Sequence, residues 1–357
     1  RFKDPVSSFS GLQAFGDHFQ LVLLFFVPLY WFSYSLSLLL IAQAAIAVFS
    51  TVPIYLLSLK FLKDKFLSLV ICVSYLLFVP LQFAILDGFH QSVFSTSFYS
   101  LALYAIFLRK NKLYWVSIIG LLITKEEMAL LAAAIGAVVF IMGEKLKGLG
   151  TIVVSLATFF VAINIILPSI QGYYPHYGYG ELGKTPTEVI VNSVKHPDLF
   201  IRNLFYPSVK IKTVLQTFLS SGFLPVFSPT LLIPAIQQFV VRFLDTVTTH
   251  RWLNLNHYSF PIGPIMAIAT IFSIKKLMQK FHFRINLIAI YLLIFTLLQD
   301  YTYHGPINSL FKKDFYVKQQ WMKNNDEILN FLPENASVAT TNNFGPHISQ
   351  RDEFYLV

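Results

Sequence analysis

Lys125, Glu126 and Glu127 stand side by side between two hydrophobic runs, residues 113–124 and 128–142. A charge at membrane depth costs roughly 2.5–3.5 kcal/mol on insertion scales, so such residues face a bundle interior, a partner charge or a water-filled cavity. A lysine beside two carboxylates could hold a phosphate and work as acid or base; the same triplet could neutralise itself and cap the second half of a hairpin. Asp17 and His18 precede a short apolar run. That position sets a carboxylate at the membrane surface, where it could accept a substrate proton or cap the next helix. Asp87 and His90 are three residues apart. On a helix they share a face and could bind a divalent ion or position a hydroxyl, although an aspartate beside Gly88 is also an ordinary turn residue. Arg251, His257 and His176 fall in polar stretches and could contact a phosphate, or simply be solvated.

The elements that must position these residues are apolar. Of 357 residues, 55% are hydrophobic and 13% charged, with a mean hydropathy of +0.61. Soluble domains carry about a quarter charged residues, so the composition defines a polytopic membrane protein. The net charge of +9 is dispersed among apolar spans instead of forming a basic stripe. That pattern excludes nucleic acid as the expected partner and fits cytoplasmic flanks rich in Lys and Arg. The single cysteine, Cys72, lies in an apolar run, excludes a disulfide framework within the chain and reads as a small hydrophobe. Arg1 is not a start residue, and residues 354–357 read as a strand broken off at its last position. The chain is therefore expected to be a piece of a longer protein.

Residues 19–32 form an apolar run of 14 containing Pro28. This falls short of the ~20 that span a bilayer, so an interfacial or re-entrant segment is expected. Residues 36–59 cross to the basic loop Lys60, Lys63 and Lys65; residues 66–86 return, and residues 91–108 lead to Arg109, Lys110 and Lys112. Because Lys145 and Lys147 belong on the same side, two crossings must fit between the basic loops. At 1.5 Å per residue, 113–124 reaches only ~18 Å against a ~30 Å hydrocarbon core. A short hairpin with Lys125, Glu126 and Glu127 at its apex follows; the rival is one tilted helix carrying the charges midway. Residues 148–167 cross next, with Pro168 expected to end the helix. An aromatic outer segment with short surface helices follows. Its Tyr173, Tyr174, Tyr177 and Tyr179 read as an interfacial belt or as sugar-stacking groups. Lys210 and Lys212 sit on the supposed outer side, against the positive-inside rule. Residues 214–244, broken by Gly222, Pro225, Pro229 and Pro234, suggest two short helices. Residues 258–274 and 285–298 complete the spans, flanking the basic loop Lys275, Lys276, Lys280 and Arg284.

The expected fold class is an all-α polytopic helical bundle, residues 1–300, with outer loops near 1–18, 87–90, 168–212 and 245–257. A small, truncated soluble α/β region, 301–357, follows. It contains an amphipathic helix at 321–332, a β-rich stretch at 337–340 and the weak glycosylation sequon Asn335-Ala336-Ser337.

Several pieces in order carry a resemblance: Gly16-Asp17-His18-Phe19 before a run ending Pro28-Leu29-Tyr30; Asp87 and Phe89-His90; Thr124-Lys125-Glu126-Glu127; Gly222-Phe223-Leu224-Pro225; and residues 336–351, with Asn342-Asn343-Phe344-Gly345-Pro346. Together they resemble the predicted membrane protein family called domain of unknown function 2079, over nearly the whole chain. Members of that family usually begin with a further helix and an acidic loop upstream of Gly16, which are missing here. The family is grouped with the GT-C glycosyltransferases. The resemblance therefore implies a GT-C-like bundle and transfer of a sugar from a polyprenyl-phosphate donor at the outer face, with a carboxylate in the first outer loop. Asp17 is the match to that carboxylate.

The expected site comprises Asp17 and Glu126 as catalytic residues and His18, Asp87, His90, Lys125, Glu127, Arg251 and His257 as substrate-binding residues. Asp87 and His90 are the candidate metal pair, and a divalent cation is the candidate cofactor. The expected partners are a polyprenyl-phosphate sugar or other lipid and the cell membrane, which the chain crosses several times. Two other functions stay open: a transporter or lipid flippase using the triplet as a coupling site, and a non-catalytic envelope protein.

Overall fold

Among the described residues, four helices are long and apolar enough to cross a bilayer: Ser37–Leu62, Lys145–Gln171, Ile262–Phe281 and Ile285–Thr302. The pair Lys65–Leu76 and Val79–Leu86, bent by 45° where the second helix opens with Pro80 in its first turn, has the length and composition of a broken span or a re-entrant loop. The computed structural model describes residues 12–32, 35–281, 284–333, 336–341, 344–348, 351 and 353–356. The polar start of the chain at 1–11, Asn335 of the sequon, Asn342, Asn343, Ser349, Gln350 and Val357 lie outside the described residues.

Ile262–Phe281 is the pillar. Its apolar window is 67% buried, against 22–28% for the other three long spans, because helices pack around it. The basic ends of the crossings come together. Phe272 on the pillar stacks on Phe107 at 4.1 Å and meets Phe61 at 4.9 Å, and Lys275 lies 4.6 Å over the Phe61 ring. One end of the bundle thus gathers the Lys60–Lys65, Arg109 and Lys275 turns.

The triplet sits at the other end, in a hairpin. Asn111–Leu122 and Met128–Ile141 are 12 and 14 residues long, so each rises only about 18–21 Å. Tyr114, near the start of the first, hydrogen-bonds Thr151 at 2.6 Å, and Thr151 lies just inside the helix that follows the second. The start of one arm and the end of the other therefore share a depth, as a hairpin requires and a single tilted helix forbids. Small residues bring the second arm against its neighbour. A Cβ at Gly148 would stand 2.5 Å from Phe140 N and 2.7 Å from Gly136 O.

The apolar run near the start is an 11-residue 3₁₀ helix, Leu21–Trp31, too short to cross. Its Val22 N–H donates to Ile123 O at 2.9 Å, which fixes it beside the hairpin apex. Phe26 packs edge-on against Phe89 and Phe94, while Phe25, Trp31 and Phe32 are exposed to the surroundings. Residues 214–244 form the expected pair of short helices, but the first begins earlier: Val209–Leu219, two 3₁₀ turns, then Ile233–Leu244.

Two expectations are corrected. Pro168 does not end its helix, because a π turn at Ala162–Ile166 re-phases the hydrogen bonds ahead of it; the helix continues to Gln171 and stops at Gly172, whose φ is +86°. Lys210 is not an exposed violation of the charge rule. It is buried, with Nζ donating to Asn203 O at 2.5 Å and Phe243 O at 2.8 Å, over the Trp252 ring.

The segment after Thr302 has 3₁₀ turns, the helix Gln320–Asn330, and two short parallel strands, β1 (Val338–Thr340) and β2 (Phe354–Leu356), with Val338 opposite Phe354. The helix Gly345–Ile348 lies between them in sequence. The whole is an all-α polytopic membrane fold with this small α/β appendix.

Gly148→Ala should destabilise the bundle by about 1–3 kcal/mol, since its methyl cannot be accommodated between two backbones. Gly150→Ala, whose methyl would meet nothing nearer than 3.8 Å, should be neutral or mildly stabilising. Thermal unfolding of both variants in detergent measures the difference.

Candidate functional site

A polar cavity of about 270 Å³ opens at the hairpin apex, among loops that close the bundle opposite its basic end. Asp17, His18, His90, Lys125, Glu126, Glu127, Arg251 and His257 all line it. Asp87 does not line it, but holds His257 from behind. Residues spread over 240 positions of sequence thus share one chamber, because the hairpin is too short to fill its end of the bundle.

Glu126 anchors one wall. It is 1% exposed, and both its oxygens are used: Oε1 lies 2.8 Å from His18 Nδ1 and accepts the Tyr174 hydroxyl at 3.0 Å, and Oε2 accepts the Phe19 N–H at 3.0 Å. A carboxylate accepts only, so His18 carries its proton on Nδ1 and leaves Nε2 unprotonated. Burial, reinforced by the Lys125 charge, holds the His18 pKa below its ordinary value and keeps the ring neutral. His18 stacks on His176 at 3.9 Å, and His176 Nε2 lies 2.6 Å from Asp17 Oδ1. Asp17 is not a helix cap: the residue capping Leu21–Trp31 is Gln20. Burial opposes its charge, but the His176 hydrogen bond together with the electrostatic pull of His18, His176 and Lys125 outweighs that and lowers its pKa.

The second wall centres on Asp87. Its Oδ1 accepts from Asn256 Nδ2 at 3.0 Å; its Oδ2 accepts the His257 N–H at 2.9 Å and lies 2.8 Å from His257 Nδ1. An aspartate following a helix thereby clamps a loop 170 residues away, which a simple turn residue does not do. Although burial works against its charge, these hydrogen bonds bring its pKa down to about 2. His257 accordingly carries its proton on Nδ1 and turns an unprotonated Nε2 to its other side. Burial lowers the His257 pKa, more than the hydrogen bond to Asp87 raises it. His90 stacks on His257 at 3.5 Å; burial and the neighbouring His257 push its pKa down to about 3. Gln43, a lone amide in an apolar span, fixes this turn. Its Nε2 donates to Ile85 O and Gly88 O at 3.0 and 2.7 Å, and its Oε1 accepts the His90 N–H at 2.7 Å.

The cations lie between. Arg251 bridges two acids, with Nη2 2.6 Å from Glu127 Oε2 and Nη1 3.2 Å from Asp245 Oδ2. Asp245 is itself held by the Val247 and Thr248 N–H groups at 3.0 and 2.8 Å. Lys125 Nζ is 3.4 Å from Glu127 Oε1 and 5.9 Å from the Tyr258 ring centre. Its ammonium has three donors and, among the described residues, this one long ionic contact, so it has capacity for an anion.

Asp87, His90 and His257 form one group whose potential ligand atoms lie within 4.8 Å of one another, and Asp17, His18 and His176 form another. The structure thus extends the candidate metal pair Asp87 and His90 by His257. Sequence reasoning missed Asp245, Asn256, Gln43 and the cavity role of Tyr174. Only Gln43 had a signal, being the single amide in its apolar run.

A multi-spanning membrane protein with an ionisable cavity at one end is the class this fold defines. The chain belongs to the family described as predicted membrane protein (DUF2079), whose model matches residues 2–357. No curated protein and no solved structure matches it.

Replacing Arg251 by Met should cost about 3–5 kcal/mol, because Glu127 and Asp245 would be left sharing a buried space without their bridge. Arg251→Lys should recover only part, as a compact ammonium lacks the planar fork with which the two Nη atoms span the acids. Removing Arg202 from its exposed pair with Glu181 should cost less than about 1 kcal/mol. Thermal denaturation in detergent compares the three.

Proposed function

We propose that this protein is a membrane glycosyltransferase of the GT-C kind, taking a sugar from a polyprenyl-phosphate donor at the outer face of the cell membrane. The observation that carries this reading is the convergence of Lys125, Arg251 and a carboxylate-held imidazole, His257, in one cavity beside an exposed apolar helix. Lys125 and Arg251 meet the donor phosphate, and Leu21–Trp31 lies along its prenyl chain. An interfacial helix with exposed Phe25 and Trp31 suits a ligand that stays half in the lipid.

Transfer breaks the bond between the sugar C1 and the phosphate oxygen and forms one from C1 to the acceptor oxygen. The bonding pair leaves with the phosphate as polyprenyl phosphate, whose charge the two cations stabilise. The acceptor's proton passes to His257 Nε2, and Asp87 steadies the imidazolium through Nδ1. This assigns the proton to His257 and not to Asp17, whose Oδ1 is already engaged by His176 Nε2 at 2.6 Å. Glu126, with both oxygens filled, positions His18 and makes no transfer itself.

Full-length protein in detergent should consume donors from a panel of polyprenyl-phosphate sugars, and His257→Gln should slow turnover by about 10²–10⁴-fold. Because the folded His257 pKa lies below its ordinary value, activity should be complete at neutral pH and fall only on an acid limb whose midpoint lies below that of a free imidazole. Asp87→Asn removes a group that raises that pKa, so it should move the acid limb to lower pH while reducing the maximal rate. Absence of turnover across the panel, or an unimpaired His257→Gln variant, would refute the assignment.

A further inference from the structure

We infer that Asp17, His18 and His176 bind one divalent first-row transition ion of the zinc type, and that Glu126 supports the site from behind. The inference is independent of sugar transfer: it concerns what the first wall of the cavity can hold, whatever reaction occurs beside it.

The donor set is two imidazoles and one carboxylate, drawn from two segments 158 residues apart in sequence. One potential ligand atom from each lies within 4.8 Å of the other two. Nitrogen and carboxylate donors in this ratio suit Zn²⁺ and its neighbours and are a poor match to Mg²⁺ or Ca²⁺, which prefer all-oxygen shells. Three protein ligands would leave at least one position open to the cavity.

The arrangement behind His18 separates a ligand site from a chance ion pair. A metal-binding histidine nearly always donates its other ring N–H to a carboxylate or carbonyl, which fixes tautomer and ring orientation. His18 Nδ1 is already committed in this way to Glu126 Oε1 at 2.8 Å. Glu126 is in turn immobilised by the Phe19 N–H and the Tyr174 hydroxyl, both at 3.0 Å. The rigid half of the site is therefore built, and His18 Nε2 is the atom left for a ligand. Asp17 and His176 are the adaptable half. Their side chains are 34% and 36% exposed, so they can turn from one another toward a shared ion.

The Asp87 cluster lacks this division. Asp87 fills Oδ1 with Asn256 and Oδ2 with both the backbone and the ring of His257. Its carboxylate holds a loop in place, so an ion there would have to displace those bonds. Among the described residues, Asp17 takes one side-chain hydrogen bond, from His176.

Tag-free full-length protein in detergent, stripped with chelator, should bind one Co²⁺ per chain with the visible absorption of nitrogen and oxygen ligation, and Zn²⁺ should displace it. Elemental analysis gives the stoichiometry, and the ion should raise the unfolding temperature. His18→Ala and His176→Ala should abolish uptake. Glu126→Gln should keep the site but weaken it about 10–100-fold, a graded loss expected of an outer support. The double variant His90→Ala/His257→Ala should bind as the unaltered protein does. His176→Ala is the control for folding, since its side chain lies on an open loop and its metal-free unfolding temperature should match the parent. Three outcomes overturn the inference: no Co²⁺ bound by the folded full chain, equal binding after loss of His18 or His176, or uptake that disappears only in the His90/His257 double variant.

Discussion

The interaction on which the site depends is the fully used carboxylate of Glu126. It is buried at the apex of a hairpin, where an ionised group survives only if each oxygen is met by a donor. The three donors come from three places: the His18 ring, the Phe19 backbone and the Tyr174 hydroxyl. Satisfying one charge therefore draws the segment around residue 18 and the loop around residue 174 to the end of the hairpin. Those two segments carry Asp17 and His176 with them. The chamber wall follows from the need to solvate a single carboxylate.

The same logic operates on the opposite wall. Asp87 is met by Asn256 and twice by His257, and Glu127 is met by Lys125 and Arg251. Arg251 then meets Asp245, which completes its own shell with backbone N–H groups. Each acid captures a group from the loop 245–258, so that loop is tied down by electrostatics. Short helices make this possible. Arms of 12 and 14 residues stop before the end of the bundle and leave a depth that only polar loops can fill.

The hairpin was legible in the sequence because two independent constraints agreed. Basic clusters at Lys110 and Lys145 demanded two crossings, and run length allowed only short ones. The spacing of Asp87 and His90 was legible for the same reason that it was incomplete: local spacing shows neighbours on one turn, but His257 and Asn256 reach Asp87 through tertiary folding. Pro168 misled because proline breaks an α helix in phase, whereas a π turn just ahead shifts the phase. Lys210 misled because charge rules describe lysines in water, and this one is bonded to two carbonyls. Family membership was readable because its fragments occur in order along the chain, an arrangement that no single fragment specifies.

Histidine protonation connects these points. Each of the two inner imidazoles, His18 and His257, has a carboxylate on Nδ1, and each is kept neutral chiefly by burial. An ionised carboxylate beside a neutral imidazole fixes a tautomer without transferring a proton, leaving Nε2 as a directed lone pair. Stacking then sets His176 against His18 and His90 against His257. Two imidazole pairs built alike differ in what the remaining acid can do. Asp87 is spent on holding a loop, whereas Asp17 retains exposure and a single ring partner. A lone pair directed beside a committed acid is suited to accepting a proton, and one directed beside an available acid is suited to sharing a cation. Equal chemistry at two walls thus diverges through the hydrogen bonds behind it.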